Sequence, residues 1–287
     1  MTGILLGAAG AYAALCSGAY LLQRSLIYPA PPLPPSTAEW MQSHPGIYGG
    51  AQLLVIEGEG ATAGRYTYAL HLPARDGRPT VVHFHGNGED VFSAQPLLKA
   101  FGARGLGFMV VEYPGYGPLI DQTPREADIY QHAETALVYL QRKLGVTHER
   151  TVLQGQSLGS AVALEMAARG FGARLALIAP FTSLSAVAAR NAPFLPVRLL
   201  LRDRYETLRK APRVSQPTLV LHGARDAIVP PAMGQKLADA LPNAQLRLIE
   251  ACGHNDLFAS GSKQPLQLLL EFALGERPLN MTGDADR

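Results

Sequence analysis

Residues 152–160 read VLQGQSLGS, with a glycine two places to either side of Ser157. The serine stands where the apolar run TVLQG (151–155) gives way to the Ala-rich LGSAVALEMAARG (158–170). The first has the composition of a buried strand and the second that of a helix, so Ser157 occupies a strand-to-helix turn. A turn that sharp presses Gly155 and Gly159 together, and neither has room for a side chain if the Ser157 hydroxyl is to project above the sheet. Gln156 completes the elbow. The start of the helix adds a partial positive charge where a developing negative oxygen would sit. The plain alternative is a helix cap, since serine is also a favoured N-cap.

Working outward, short apolar runs alternate with helical patterns from residue 51 onward, as expected of an α/β fold with a doubly wound sheet. The expected strands are AQLLVIE (51–57), RYTYALHLP (65–73), TVVHFHG (80–86), GFMVVEY (107–113), TVLQG, LALIA (175–179), TLVLHG (218–223) and QLRLIEA (245–251). The first two lie close together and should form an antiparallel hairpin. The other six read as buried parallel strands, giving a mostly parallel eight-stranded sheet with helices on both faces. Helical spacing marks 125–143, 158–169, 231–241 and 263–274. Residues 180–213 form a short connection whose apolar run, from Phe194 to Leu201, reads either as a core-packed helix or as a small cap with an acyl-binding or membrane-facing surface.

A serine hydroxyl is a weak nucleophile at neutral pH and needs a base and an acid to orient that base. In an open parallel sheet these groups come from loops at the carboxyl ends of strands. TLVLHGARDAIVP places Asp226 just past the seventh strand, and LIEACGHNDLF places His254 just past the eighth. The loop after the sixth strand, IAPFTSLSAV, holds no carboxylate, which favours Asp226 as the acid. As bland readings, Asp226 would be a turn residue and His254 a structural loop histidine. The third strand runs into HFHGNGED, where His85 and Gly86 lead to Asn87. The backbone N–H groups of Asn87 and Leu158 are the candidates to bind a tetrahedral oxygen. His83 and His85 form H-x-H with no third ligand close in sequence, so no metal is expected, and no cofactor. Glu89 and Asp90 read as caps of a following helix, and Asp256 as a carboxylate tying the His254 loop.

Residues 3–22, GILLGAAGAYAALCSGAYLL, carry no charge over twenty positions. At 1.5 Å per residue this matches the roughly 30 Å of a hydrocarbon core. The expectation is an N-terminal transmembrane anchor (1–24) embedded in the lipid bilayer, with the membrane face open. A cleaved signal leading to a secreted or periplasmic protein is the alternative. A Pro-rich linker (25–50, including YPAPPLPP) leads to the domain at 51–275, and a polar tail (276–287) ends the chain. Lys plus Arg number 25 against 23 Asp plus Glu, with no basic block, so nucleic acid is not an expected partner. Two cysteines, Cys16 and Cys252, exclude a disulfide framework.

Taken together, HFHGNGED, YPGYG (113–117), GQSLGS, HGARDAIVP and GHNDLF resemble the α/β-hydrolase fold family over residues 50 to 274. The nearest branch comprises membrane-anchored serine hydrolases of the serine-aminopeptidase-like and α/β-hydrolase-domain type, whose I-Y-P segment is matched by Ile27, Tyr28 and Pro29. The resemblance implies a catalytic triad of Ser157, Asp226 and His254, in that chain order, acting on the carboxylic ester or thioester of a small molecule or acyl lipid. It leaves two rivals, a peptidase releasing N-terminal residues and a non-catalytic binding protein on a hydrolase fold.

Overall fold

The computed structural model describes residues 2–31, 49–58, 64–258 and 263–276, with side chains from residue 6 in the first helix. The Pro-rich spacer from residue 32, the linker up to residue 48 and the tail from residue 277 lie outside the described residues.

Eight strands form one sheet: β1 (Gln52–Glu57), β2 (Tyr66–Leu72), β3 (Thr80–Phe84), β4 (Gly107–Val111), β5 (Thr151–Gln156), β6 (Arg174–Ile178), β7 (Thr218–Gly223) and β8 (Ala244–Ile249). Their order is β1-β2-β4-β3-β5-β6-β7-β8. β2 pairs antiparallel with both β1 and β4, and every other pair is parallel. The central strands are buried along their length, save Gln156 at the close of β5, which explains their unbroken apolar runs. Alternate residues face opposite ways. Val82, Leu153, Leu177 and Val220 point to one face, where α3 (Glu126–Arg142), α4 (Leu158–Ala168) and α8 (Pro231–Ala240) pack. Val81, Val152, Ile178 and Leu221 point to the other, covered by α2 (Gln95–Ala103) and α9 (Gln264–Leu274).

The connection after β6 is not a single core-packed helix. It breaks into α5 (Leu184–Asn191), α6 (Val197–Leu200) and α7 (Thr207–Lys210). Its apolar residues divide accordingly: Val197 and Leu201 are buried, whereas Phe194 and Leu199 are exposed.

The N-terminal segment is where the transmembrane anchor is expected. Residues Thr2–Ile27 do form a helix, α1, but among the described residues no helix is long and apolar enough to cross a membrane. Freedom from charge is not apolarity: Gly7, Gly10, Tyr12, Ser17, Gly18 and Tyr20 gain little on transfer to hydrocarbon. The bilayer contact expected through residues 3–22 is thus not shown among the described residues. Instead, the helix packs on the connection after β6. Tyr12 donates to the Phe194 carbonyl at 2.8 Å. Gln23, almost fully buried, donates to Leu200 O at 3.2 Å and accepts from Arg202 N at 2.8 Å. The Arg202 guanidinium stands over the Tyr20 ring at 4.2 Å. Just past the helix, the buried Tyr28 hydroxyl meets Asp203 Oδ2 at 2.9 Å and the Tyr205 hydroxyl at 3.0 Å.

Candidate active site

Ser157 joins β5 to α4 with φ 49° and ψ −113°, a conformation that residues other than glycine rarely adopt. Its neighbours hold it there. Ser157 N donates to Ile178 O on β6 at 2.8 Å, and Ser160 returns both its N–H and its hydroxyl to Ser157 O, at 3.0 and 2.6 Å. A Cβ on Gly155 would lie 2.1 Å from Gly159 O, and one on Gly159 would lie 1.9 Å from Phe84 O. The spacing of these two glycines is thus required by the contact of α4 with β5 and β3.

Asp226 follows β7. Its Oδ1 accepts Ile228 N and Val229 N at 2.9 and 2.8 Å, closing a turn that sets the carboxylate in place. The same loop reaches the one after β8 through Arg225 N to Cys252 O at 2.9 Å. That second loop carries His254 and is closed by Asp256, whose Oδ1 accepts Gly253 N at 2.6 Å. His254 bridges the two elements: Nδ1 lies 2.7 Å from Asp226 Oδ2 and Nε2 lies 3.0 Å from Ser157 Oγ. Residues 97 and 28 positions apart in sequence form one hydrogen-bonded line. Burial pushes the Asp226 carboxyl up, but hydrogen bonds from His222, His254 and Val229 N more than offset it, and the group ends well below the usual carboxylate range.

On the other side of the serine, β3 runs into His85, Gly86 and Asn87. Gly86 packs beside the elbow, a Cβ there standing 3.6 Å from Gln156 O. Glu89 does not cap α2: it accepts Gly86 N at 2.6 Å, while Asp90 Oδ1 accepts the N–H groups of Phe92 and Ser93. Asn87 is clamped through its side chain, accepting the Tyr116 hydroxyl at 2.6 Å and donating to Ile27 O at the end of α1. Leu158, which contributes the other candidate N–H, is the first residue of α4.

Sequence reasoning passed over Glu112, the residue after β4. Its carboxylate is fully buried and accepts from His85 Nε2 at 3.0 Å, Tyr113 N at 3.0 Å and Val91 N at 3.2 Å. His85 Nδ1 faces Gly86 O at 2.9 Å, and Tyr113 stacks on the ring with centroids 4.0 Å apart. Burial pushes His85 down, yet the hydrogen bond and charge of Glu112 win and its pKa is raised above 6.5. A charged residue closing the buried run GFMVVEY was the available signal, since carboxylates are almost never fully buried without a partner. His83 stacks on Phe108 and bonds Gln154 at 3.0 Å, apart from His85's partners. Among the described residues no group of three His, Cys, Asp or Glu is placed to hold a metal ion.

Comparison with known proteins agrees with this architecture. A model described as "Alpha/beta hydrolase family" matches residues 81–215, and one described as "alpha/beta hydrolase fold" matches residues 190–260. An uncharacterized protein of Mycobacterium tuberculosis is 32% identical over 237 residues, covering 82% of this chain and 81% of its own. The chain belongs to the alpha/beta hydrolase family. Within that family, the alpha/beta hydrolase domain-containing protein 17C of Xenopus tropicalis is 29% identical over 203 residues, which is 70% of this chain and 63% of the relative. An esterase of Pyrococcus furiosus shares the fold with a TM-score of 0.66 at 13% identity, over 85% of this chain and 97% of that one. In this alpha/beta hydrolase the two matched stretches include all of Ser157, Asp226 and His254.

Proposed function

We propose that the protein is a serine hydrolase that cleaves carboxylic esters or thioesters of small acyl or acyl-lipid molecules through an acyl-enzyme. The observation that carries this reading is the unbroken line Ser157 Oγ–His254 Nε2 (3.0 Å) and His254 Nδ1–Asp226 Oδ2 (2.7 Å). His254 takes the hydroxyl proton as Ser157 Oγ attacks the acyl carbon. The carbonyl oxygen becomes an oxyanion, held by the backbone N–H groups of Asn87 and Leu158 at the start of α4. Collapse of the tetrahedral intermediate expels the alcohol or thiol, which leaves with the proton from His254. Water, deprotonated by the same imidazole, then attacks the acyl-enzyme and returns acid and free serine. Asp226, held ionised by the hydrogen bonds it accepts, fixes the imidazole tautomer and offsets the charge that forms on it.

An ester or thioester is favoured over a peptide with a free amino terminus by the state of the nearby carboxylates. Glu89 and Asp256 already accept backbone N–H groups of their own loops, so neither is kept for a substrate ammonium group. Turnover of p-nitrophenyl butyrate tests the reading. Ser157→Ala is expected to lower kcat by about 10⁶, the scale of removing a triad serine. Full turnover in pure, folded Ser157→Ala protein would refute it.

A further inference from the structure

His222 is the penultimate residue of β7 and is fully buried. Beyond its bearing on the charge of Asp226, no role in the reaction has been given to it above. Its Nε2 lies 2.9 Å from Val229 O and 3.2 Å from Asp226 Oδ2, so that nitrogen faces two acceptors and carries a hydrogen. Its Nδ1 has no hydrogen-bond partner among the described residues. The ring edge bearing Nδ1 is packed against α8 at Gly234, where a Cβ would stand only 2.4 Å from Nδ1. The ring is therefore wedged with one polar edge against a helix backbone and the other aimed at the carboxylate. A buried imidazole accepts the cost of an unpartnered nitrogen only where the opposite nitrogen is well used.

We propose that His222 is a positioning residue for the reaction, donating through Nε2 to Asp226 Oδ2 so that the carboxylate is held in the orientation in which it orients His254. The inference rests on the serine-hydrolase reading and deepens it. Asp226 receives two backbone donors on Oδ1 and the His254 imidazole on Oδ2, and His222 Nε2 lies 3.2 Å from that same oxygen. Without His222 the carboxylate keeps its backbone anchors but Oδ2 is held by His254 alone. The same Nε2 also secures Val229 O, whose own N–H holds Oδ1, so one ring fixes both the turn and the acid it presents. The catalytic groups touch the substrate, and His222 acts only through Asp226.

The experiment compares variants of the full chain in p-nitrophenyl butyrate hydrolysis, with thermal midpoints measured alongside. His222→Gln carries an amide nitrogen near the place of Nε2, whereas His222→Asn reaches only to the place of Nδ1. The expected result is a kcat within about threefold of the parent for Gln and about 10- to 100-fold lower for Asn and for His222→Leu, with KM unchanged, as for loss of a hydrogen bond to a charged group. A lowered midpoint with parental kcat in the Asn and Leu variants marks a merely structural residue and overturns the proposal, as does an equal fall for Gln and Asn. Should the Asn and Leu chains fail to fold, Gly234→Ala, which forces the ring to shift, serves in their place: a fall in kcat at constant KM supports the role, and parental kcat overturns it. If the parent protein neither hydrolyses the ester nor accepts a fluorophosphonate on Ser157, the hydrolase reading fails and this one with it. Parental turnover with unaffected His222 variants removes this one alone.

Discussion

The pairs His254–Asp226 and His85–Glu112, both at the carboxyl ends of strands in this sheet, are equipped for different work. His254 Nδ1 meets Asp226 at 2.7 Å and His85 Nε2 meets Glu112 at 3.0 Å. The difference lies in the second nitrogen and in access. His254 turns Nε2 toward a hydroxyl that can give up a proton, and its side chain is 9% exposed, at the rim of the sheet. His85 turns Nδ1 toward the carbonyl of Gly86, and its side chain and that of Glu112 are 1% and 0% exposed. With an acceptor facing each nitrogen, the protonated form of His85 is favoured and its pKa is raised. One pair can pass a proton on. The other can only hold one, and in doing so it ties the loop from His85 to Val91 to the end of β4. Chemistry and scaffolding are thus separated by what faces the far side of the imidazole.

The comparison breaks most visibly if activity and stability respond to the wrong pair. After Ser157→Ala, the next largest expected effect on activity is that of Asp226→Asn, a fall in kcat of about 10⁴ from the loss of the acid that fixes the tautomer. Steady-state kinetics with intact near-ultraviolet circular dichroism check that this loss is not unfolding. Glu112→Ala should do the opposite and act first on stability. Stripping the partner from a buried charge costs about 3–5 kcal/mol, readable in urea denaturation. A loss below about 1 kcal/mol, the scale of an exposed ion pair, would mean that the pair is not sealed.

A finer distinction comes from pH. His85 has a folded pKa above the ordinary imidazole value of 6.5, so its contribution to stability is fully present below pH 6.5 and is lost as pH rises through the folded value. The thermal midpoint is expected to decline as pH rises from 6.5 through that folded value, and Glu112→Gln, which removes the charge that holds the proton, should flatten that decline. An unchanged slope in the variant would assign the decline to other groups. At the acid end the sign reverses. Burial lowers His83 to about 3 and His132 to about 4, so below pH 6.5 the unfolded chain takes up protons that the folded one refuses, and stability falls. Loss of stability between pH 6.5 and 4, followed by differential scanning calorimetry, is the expected outcome.

The sheet was legible because its evidence is local. Unbroken apolar runs and helical spacing can be counted along the chain, and the eight strands and the 158–169 helix fall within a residue or two of those observed. Gly155 and Gly159 were legible for the same reason, since a turn dictates its own residues. What was missed depends on partners remote in sequence. Glu112 and His222 close apolar runs, GFMVVEY and TLVLHG, and their meaning appears only when the fold brings His85 and Asp226 beside them. Glu89 was read as a helix cap because a carboxylate just before a helix fits that pattern; the free N–H of Gly86 in a tight loop competes for it and wins. At the N-terminus, freedom from charge over twenty positions is legible in the sequence, but what the helix packs against is not. The contacts of Gln23 and Tyr20 with the connection after β6 have no signature in the segment itself.

The central claim is that Ser157 is made nucleophilic by His254. It is tested most directly by treating the folded full chain with a fluorophosphonate and locating the adduct by peptide mass spectrometry, in parallel with His254→Ala. The account predicts a single adduct on Ser157 in the parent chain and at most a trace in the variant. An adduct on another residue, or equal labelling of Ser157 with and without the histidine, would contradict it.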